Sequence, residues 1–279
     1  MPSHHPSDQP APSLPAQDTA RAGSQPARDL KTLVDLLERW QENDRAAVIV
    51  DHEGEPDTTT YAWLADKADR IAAGLYAAGV RPDDFVAILA PNSPAWIAAY
   101  FGILAAGATA VPLDYHSAVA DLEGMLERSR CLRLFTTKAA LERLPDSWLN
   151  DADAVYVLDD PDRQTGKVSS WTILLEKSRE APVDSVRPDG LASLLFTSGT
   201  TGTPKAVPLT HSQFLSNVNA LLQAQLVRAG DRVLLPLPLH HTYPFTVGML
   251  TSLAIGATIV FPGGATGPQI LHAARSTEV

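Results

Sequence analysis

One stretch of the chain combines residue types suited to holding an anion. Residues 194–196 are the apolar run Leu194-Leu195-Phe196, and they lead straight into Thr197-Ser198-Gly199-Thr200-Thr201-Gly202-Thr203-Pro204-Lys205. Glycine lets the backbone approach a ligand closely and turn its N–H groups inward, so Gly199 and Gly202 permit several amides to converge on one anion. Four threonines and one serine add hydroxyl donors, and Lys205 adds a positive charge. In physical terms this is a cradle for phosphate. It departs from the common P-loop, in which two glycines flank four residues and Lys-Ser/Thr follows, because Gly199 and Gly202 are three apart and Pro204 precedes Lys205. A Ser/Thr/Gly surface linker could have the same composition. Linkers rarely start on a buried strand and run on into a second strand-like segment, as Val207-Pro208-Leu209-Thr210-His211 does here.

The elements that must hold such a loop follow from the apolar pattern. Leu30, Leu33, Leu36, Leu37 and Trp40 mark one face of an amphipathic helix, and Val48-Ile49-Val50 a short strand. Leu64, Ala68, Ile71, Ala72 and Leu75 predict a helix over 61–78, ended by Gly79. Residues 85–113 carry no charge and are long enough to suggest a membrane span. Pro91-Asn92-Ser93-Pro94 interrupts them, so strand 85–89, buried helix 94–106, Gly107 as a cap and strand 109–111 fit better. Further on the pattern predicts helix 122–129 and strands 132–136, 154–158 and 191–196. A helix from Thr210 to about Val227, strand 232–235, helix 245–255, strand 258–261, a turn at Pro262-Gly263-Gly264 and a helix-like start over 269–274 complete it. Alternation of this kind predicts an α/β fold with a largely parallel sheet, since parallel strands need crossover helices.

Composition narrows the function classes. The net charge of -10, with 32 acidic against 22 basic residues, argues against sequence-independent nucleic-acid binding, which needs a basic face. A single cysteine, Cys131, excludes an internal disulfide, and its apolar surroundings predict a buried strand residue. With no apolar leader at the N-terminus, a cytoplasmic setting is expected. Residues 1–29 are rich in Pro, Ser, Ala and Gln and predict a disordered extension ahead of a folded region over 30–279.

Residues 197–205 resemble the signature phosphate loop of the adenylate-forming superfamily, which includes acyl-CoA synthetases, luciferases and the adenylation domains of peptide synthetases. Residues 60–79 with 83–92, Gly107-Ala108-Thr109-Ala110-Val111-Pro112-Leu113-Asp114, and Leu235-Pro236-Leu237-Pro238-Leu239-His240-His241 resemble further blocks of that family in the same order. The resemblance covers 30–279 and implies the large N-terminal domain of that fold, with parallel-rich sheets flanked by helices and no C-terminal lid domain. It implies ATP and Mg²⁺ as cofactors, activation of a carboxylic acid as its acyl adenylate, and transfer to the thiol of coenzyme A or of a carrier-protein phosphopantetheine. On this basis Thr197, Ser198, Gly199, Thr200, Thr201, Gly202, Thr203 and Lys205 hold the nucleotide, and Thr200 is a candidate Mg²⁺ ligand. His241 matches the family histidine near the acyl pocket, while His240 stands where an aromatic residue is usual. Tyr243, Phe245 and Gly248 join His241 as candidate acid-binding residues, and the apolar run 244–250 is closest to bacterial synthetases acting on fatty acids. Taken singly, Phe245, Met249 and Leu250 fit helix-core packing better. Ala206 replaces the usual glycine, which affects loop geometry only if that position needs a positive φ.

The family's adenine, ribose, hinge and lid residues, the lid lysine included, match nothing before Val279. The chain is therefore expected to be an incomplete part, with no catalytic residue of its own and no activity alone. Two alternatives stand beside a fatty-acid ligase: a non-catalytic nucleotide- or phosphate-binding module, and an amino-acid-activating adenylation domain.

Overall fold

A computed structural model of the chain describes residues 29–52, 55–176, 186–197 and 204–279. The disordered extension expected over 1–29 lies, but for Asp29, outside the described residues. In chain order the first elements are α1 (Asp35–Trp40), β1 (Ala46–His52), β2 (Glu55–Thr60), α2 (Tyr61–Ala77), β3 (Phe85–Leu89), α3 (Pro94–Ala105) and β4 (Thr109–Pro112). Then come α4 (Val119–Ser129), β5 (Arg133–Thr136), α5 (Lys138–Leu141), α6 (Asp146–Asp151), β6 (Ala154–Val157), β7 (Gln164–Thr165), β8 (Val168–Ser170) and α7 (Thr172–Leu175). The last are β9 (Leu191–Thr197), β10 (Lys205–Thr210), α8 (His211–Gln223), β11 (Arg232–Leu234), a π-helical segment (Pro244–Leu250), α9 (Thr251–Ile255), β12 (Thr258–Phe261) and α10 (Gly267–Ser276).

The strands form two sheets, one ordered β10-β9-β4-β3-β5-β6-β8-β7 and the other β11-β12-β1-β2. Pairing is parallel except for β1 with β2, β9 with β10 and β7 with β8. Side chains of a strand alternate between faces, and the cores follow that alternation. Val86 and Ile88 of β3 and Val48 of β1 point into one large core shared with α1, α2, α3 and α8. Ala87 and Leu89 face a second core with Leu122, Met125 and Leu126 of α4 and Trp148 of α6. Ile49 and Val260 meet Ala273 of α10 on the far side of the smaller sheet. Parallel strands covered on both faces read as continuous apolar runs, which is why they were legible in the sequence.

The charge-free stretch is a buried helix. Ser93 caps α3 by accepting from the Trp96 amide at 3.1 Å, with Pro94 in the first turn. Gly107 follows it with φ of 81°, a left-handed conformation that only glycine adopts without strain. Helices α2 and α3 touch closely through Gly102, where a methyl group would come 2.5 Å from Ile71 Cγ2. Among the described residues no helix is long and apolar enough to cross a membrane.

Several expected boundaries shift. The first helix begins at Asp35, because its carboxylate accepts from the Lys31 amide at 2.6 Å and the Thr32 amide at 3.1 Å and folds residues 31–34 into a turn. Helix α8 ends at Gln223, before Val227. Cys131 is fully buried as expected but precedes β5 and is not a strand residue. The Trp148 indole N–H donates to its carbonyl at 2.7 Å, and burial raises its thiol pKa to about 12, which makes it inert.

Candidate functional site

Strands β3, β4 and β9 are parallel neighbours, so their carboxyl ends meet along one edge of the larger sheet. In open α/β sheets ligands bind at that edge. The segments singled out in the sequence converge there. Ala110 pairs with Ser193, and four residues further along the chain from each stand Asp114, two past the end of β4, and Thr197, the last residue of β9. Asn92 follows β3. Its side-chain amide donates to the Leu237 carbonyl at 2.9 Å, and its carbonyl oxygen accepts from the Leu239 amide at 2.9 Å. One side chain thereby fixes the 235–241 segment against the edge.

Of the expected phosphate loop, Ser198, Gly199, Thr200, Thr201, Gly202 and Thr203 lie outside the described residues. Its two ends are described. Strand β10 runs antiparallel to β9, and Lys205 pairs directly across from Thr197. Both residues are exposed. Ala206 pairs with Phe196 within the ladder and is not among the described non-glycine residues with positive φ, so the strand takes alanine without strain. The Arg128 guanidinium lies 5.8 Å from the centre of the Phe196 ring. Since Phe196 and Thr197 point to opposite faces, Lys205 stands on the face away from that ring.

The four candidate acid-binding residues separate into two groups. His241 and Tyr243 are exposed, Tyr243 to 68%. Phe245 is fully buried, with ring centroids 5.0 Å from Tyr100, 5.3 Å from Phe214 and 6.3 Å from Trp96. Gly248 packs against Leu235 so closely that a methyl group would collide with the leucine Cδ1. The segment carrying them, expected as an ordinary helix from 245, begins at Pro244 and is wound more widely, with the Thr251 amide reaching back to the Thr246 carbonyl. Such wide turns recur at functional sites.

Sequence reasoning treated His240 only as a departure from a pattern. The structure pairs it with Asp114. Its Nε2 is 3.6 Å from Asp114 Oδ1, beyond hydrogen-bond reach, and has no hydrogen-bond partner. Burial, opposed by Asp114, lowers its pKa to about 4, so at neutral pH the pair is a contact of a neutral ring with a carboxylate rather than an ion pair. Asp114 sits 126 residues away in sequence, and no local signal joins the two.

A buried histidine, His211, lies just past the end of β10 opposite Lys205. His211 opens α8, and its Nδ1 accepts from the Leu33 amide at 3.2 Å. Burial lowers its pKa to about 4, against an opposing pull from Asp35. Because the folded value lies below the unfolded value of about 6.5, the stability this neutral ring contributes is complete above pH 6.5. It is lost as pH falls from there through 4. The loss by pH 5 is expected to be about 2 kcal/mol. Urea unfolding at pH 7.5 and 5.0 checks this: a His211→Asn variant, which keeps an acceptor for the Leu33 amide, should lose markedly less than the parent. Equal losses would refute it.

Among the described residues no group of three or more His, Cys, Asp or Glu is placed to hold a metal ion.

The chain belongs to the AMP-binding enzyme family, whose pattern matches residues 37–277. It is 31% identical over 245 residues to a feruloyl-CoA synthase of Amycolatopsis sp., covering 84% of this chain and 44% of that protein. It is 30% identical over 264 residues to a salicyl-AMP ligase / salicyl-S-ArCP synthetase of Mycobacterium tuberculosis, covering 90% and 46%. The chain thus spans less than half the length of either relative. Among solved structures, the N-terminal domain of FACL13 from Mycobacterium tuberculosis superposes with a TM-score of 0.77 at 24% identity, over 90% of this chain and 62% of that one. MbtA of Mycobacterium smegmatis gives 0.76 at 30% identity, over 89% and 47%. The expected α/β architecture, parallel-rich sheets flanked by helices as in the N-terminal domains of adenylate-forming enzymes, is the one observed.

Proposed function

We propose that this chain is the nucleotide-handling part of an ATP-dependent ligase that activates a carboxylic acid as an acyl adenylate and passes the acyl group to a thiol. The observation that carries the proposal is the β9–β10 hairpin. It sets Lys205 across from Thr197 at the carboxyl edge of the sheet, beside the segment that carries His240 and His241.

The chemistry asked of these residues is modest. A carboxylate oxygen attacks the α-phosphorus of ATP, the bond to the β-phosphate oxygen breaks, and pyrophosphate leaves. Lys205, with the amides and hydroxyls of 198–203, holds the β- and γ-phosphates and stabilises the charge that grows on them. Mg²⁺ would neutralise phosphate oxygens when bound. Thr200, its candidate ligand, lies outside the described residues, and no described cluster supplies carboxylates for it. The acceptor thiol is that of coenzyme A or of a carrier protein. The names of the two relatives above, a CoA synthase and an aryl-carrier synthetase, support either.

His241 and Tyr243 face the acid, and the apolar run 244–250 backs it, which suits an acid with an apolar body. A fatty acid is the specific expectation. ATP–pyrophosphate exchange tests this on the chain itself and on the protein extended through its coding sequence, with fatty acids, hydroxycinnamic and hydroxybenzoic acids, and amino acids. Fatty-acid-dependent exchange is the expected result. Exchange with aromatic acids alone would keep the ligase and replace its substrate class, and exchange with amino acids alone would make it an amino-acid-activating domain. ATP binding without exchange in either form would favour a non-catalytic nucleotide-binding module.

A further inference from the structure

His240 is enclosed at the sheet edge without being satisfied. Its side chain is 10% exposed, and Nε2 is covered and makes no hydrogen bond. Native proteins satisfy most buried polar atoms, so an orphan at a ligand-binding edge calls for an explanation. The carboxylate facing it is held in place, since Asp114 Oδ1 accepts from the His116 amide at 2.8 Å. The His240 ring also lies against His241, with centroids 4.1 Å apart and planes tilted by 50°. The segment leading to both rings is pinned at Leu237 and Leu239 by Asn92. A shift of less than 1 Å would turn the 3.6 Å contact into a hydrogen bond from Nε2–H to Asp114. That bond would fix the tautomer of the neutral ring.

We propose that His240 is a positioning residue: facing Asp114 in the loop after β4, its imidazole sets the stance of His241 toward the carboxylic acid. This rests on the assignment of His241 to the acid site made above. An aromatic hydrocarbon ring at position 240 would fill the same space with no tie to Asp114, so the histidine makes the stance of His241 depend on a carboxylate. The charged and titratable groups facing His240 are Asp114 and His116 from the loop after β4 and His241 beside it. The turn after β3 contributes the uncharged Asn92.

A double-mutant cycle on ATP–pyrophosphate exchange tests the inference, in the form of the protein that carries exchange. His240→Phe and His241→Ala should each raise KM for the acid about tenfold and leave KM for ATP unchanged, and Asp114→Asn should behave like His240→Phe. Because His240 acts through His241, the double variant should be no worse than His241→Ala alone. His240→Gln, which keeps a donor toward Asp114, should recover part of the loss. On this chain, NMR titration should show the His240 imidazole still neutral at pH 5.5, with its midpoint lowered further in Asp114→Asn. An additive double variant, an unchanged acid KM in His240→Phe, or a His240 midpoint near 6.5 would overturn the proposal. His241→Ala separates the two readings: an unchanged acid KM in that variant would remove the assignment of His241 on which the inference rests, whereas an unchanged acid KM in His240→Phe alone would overturn the inference itself.

Discussion

Truncating Phe245 to alanine is expected to remove about 3–5 kcal/mol of folding stability. The ring has no exposed surface and closes an aromatic cluster with Trp96, Tyr100 and Phe214, side chains from α3 and α8. Edge-to-face contacts add to the area term, since Phe245 meets Tyr100 at 78° and Trp96 at 72°. Behind it, the Tyr100 hydroxyl is 2.9 Å from the Ser193 hydroxyl, which ties the same cluster to β9. A cavity here would therefore loosen β9, the strand that leads into the proposed phosphate loop. Urea unfolding of the chain should show a lower midpoint with an unchanged slope, and Phe245→Leu should lose less than about 1.5 kcal/mol if the site repacks. A loss under about 1 kcal/mol with an altered choice of acid would instead place Phe245 at the substrate, the role its family resemblance implies.

Phe245 also shows where sequence patterns divide from structure. Its apolar run predicts a helix, and one is present, but the wide winding of 244–250 leaves no composition signal. The helices α2 and α3 and the strands β3, β9 and β12 were legible because burial imposes periods of 3.6 or continuous apolar runs. Strand β2 was not. Its sequence, Glu55-Pro56-Asp57-Thr58-Thr59-Thr60, is polar, and it is a strand because it pairs along β1 at the edge of the smaller sheet. The short β7 and β8 and the helices α5, α6 and α7 escaped for a different reason, being too brief to show a period. At the site, the glycine and hydroxyl run stood out in the sequence because the phosphate holding proposed for it restricts residue types. The Asn92 clamp and the His240–Asp114 contact join residues more than a hundred positions apart, and only folding reveals them.

Replacing Lys205 by alanine is expected to weaken ATP binding by about 1.5–3 kcal/mol, the range for hydrogen bonds to charged groups, or roughly 10- to 150-fold in Kd. The residue is exposed at the first position of β10, so the change removes a charge without opening a cavity. Stability should stay within about 0.5 kcal/mol of the parent, as for surface substitutions away from special features. That separation matters, because a folding defect at β9 would also weaken nucleotide binding. The ladder from Lys205↔Thr197 to Leu209↔Ser193 is made by backbone groups and survives the substitution. Lys205→Arg should recover part of the affinity, since a guanidinium also donates to phosphate but with a different geometry. Calorimetric titration with ATP, run at two salt concentrations, reads both effects. The wild type should lose more affinity to salt than the alanine variant, because a screened charge contributes less. An alanine variant that binds ATP as tightly as the parent would mean that Lys205, although it faces Thr197 across the hairpin, does not touch the phosphates. The phosphate cradle would then rest on the amides and hydroxyls of 198–203 alone.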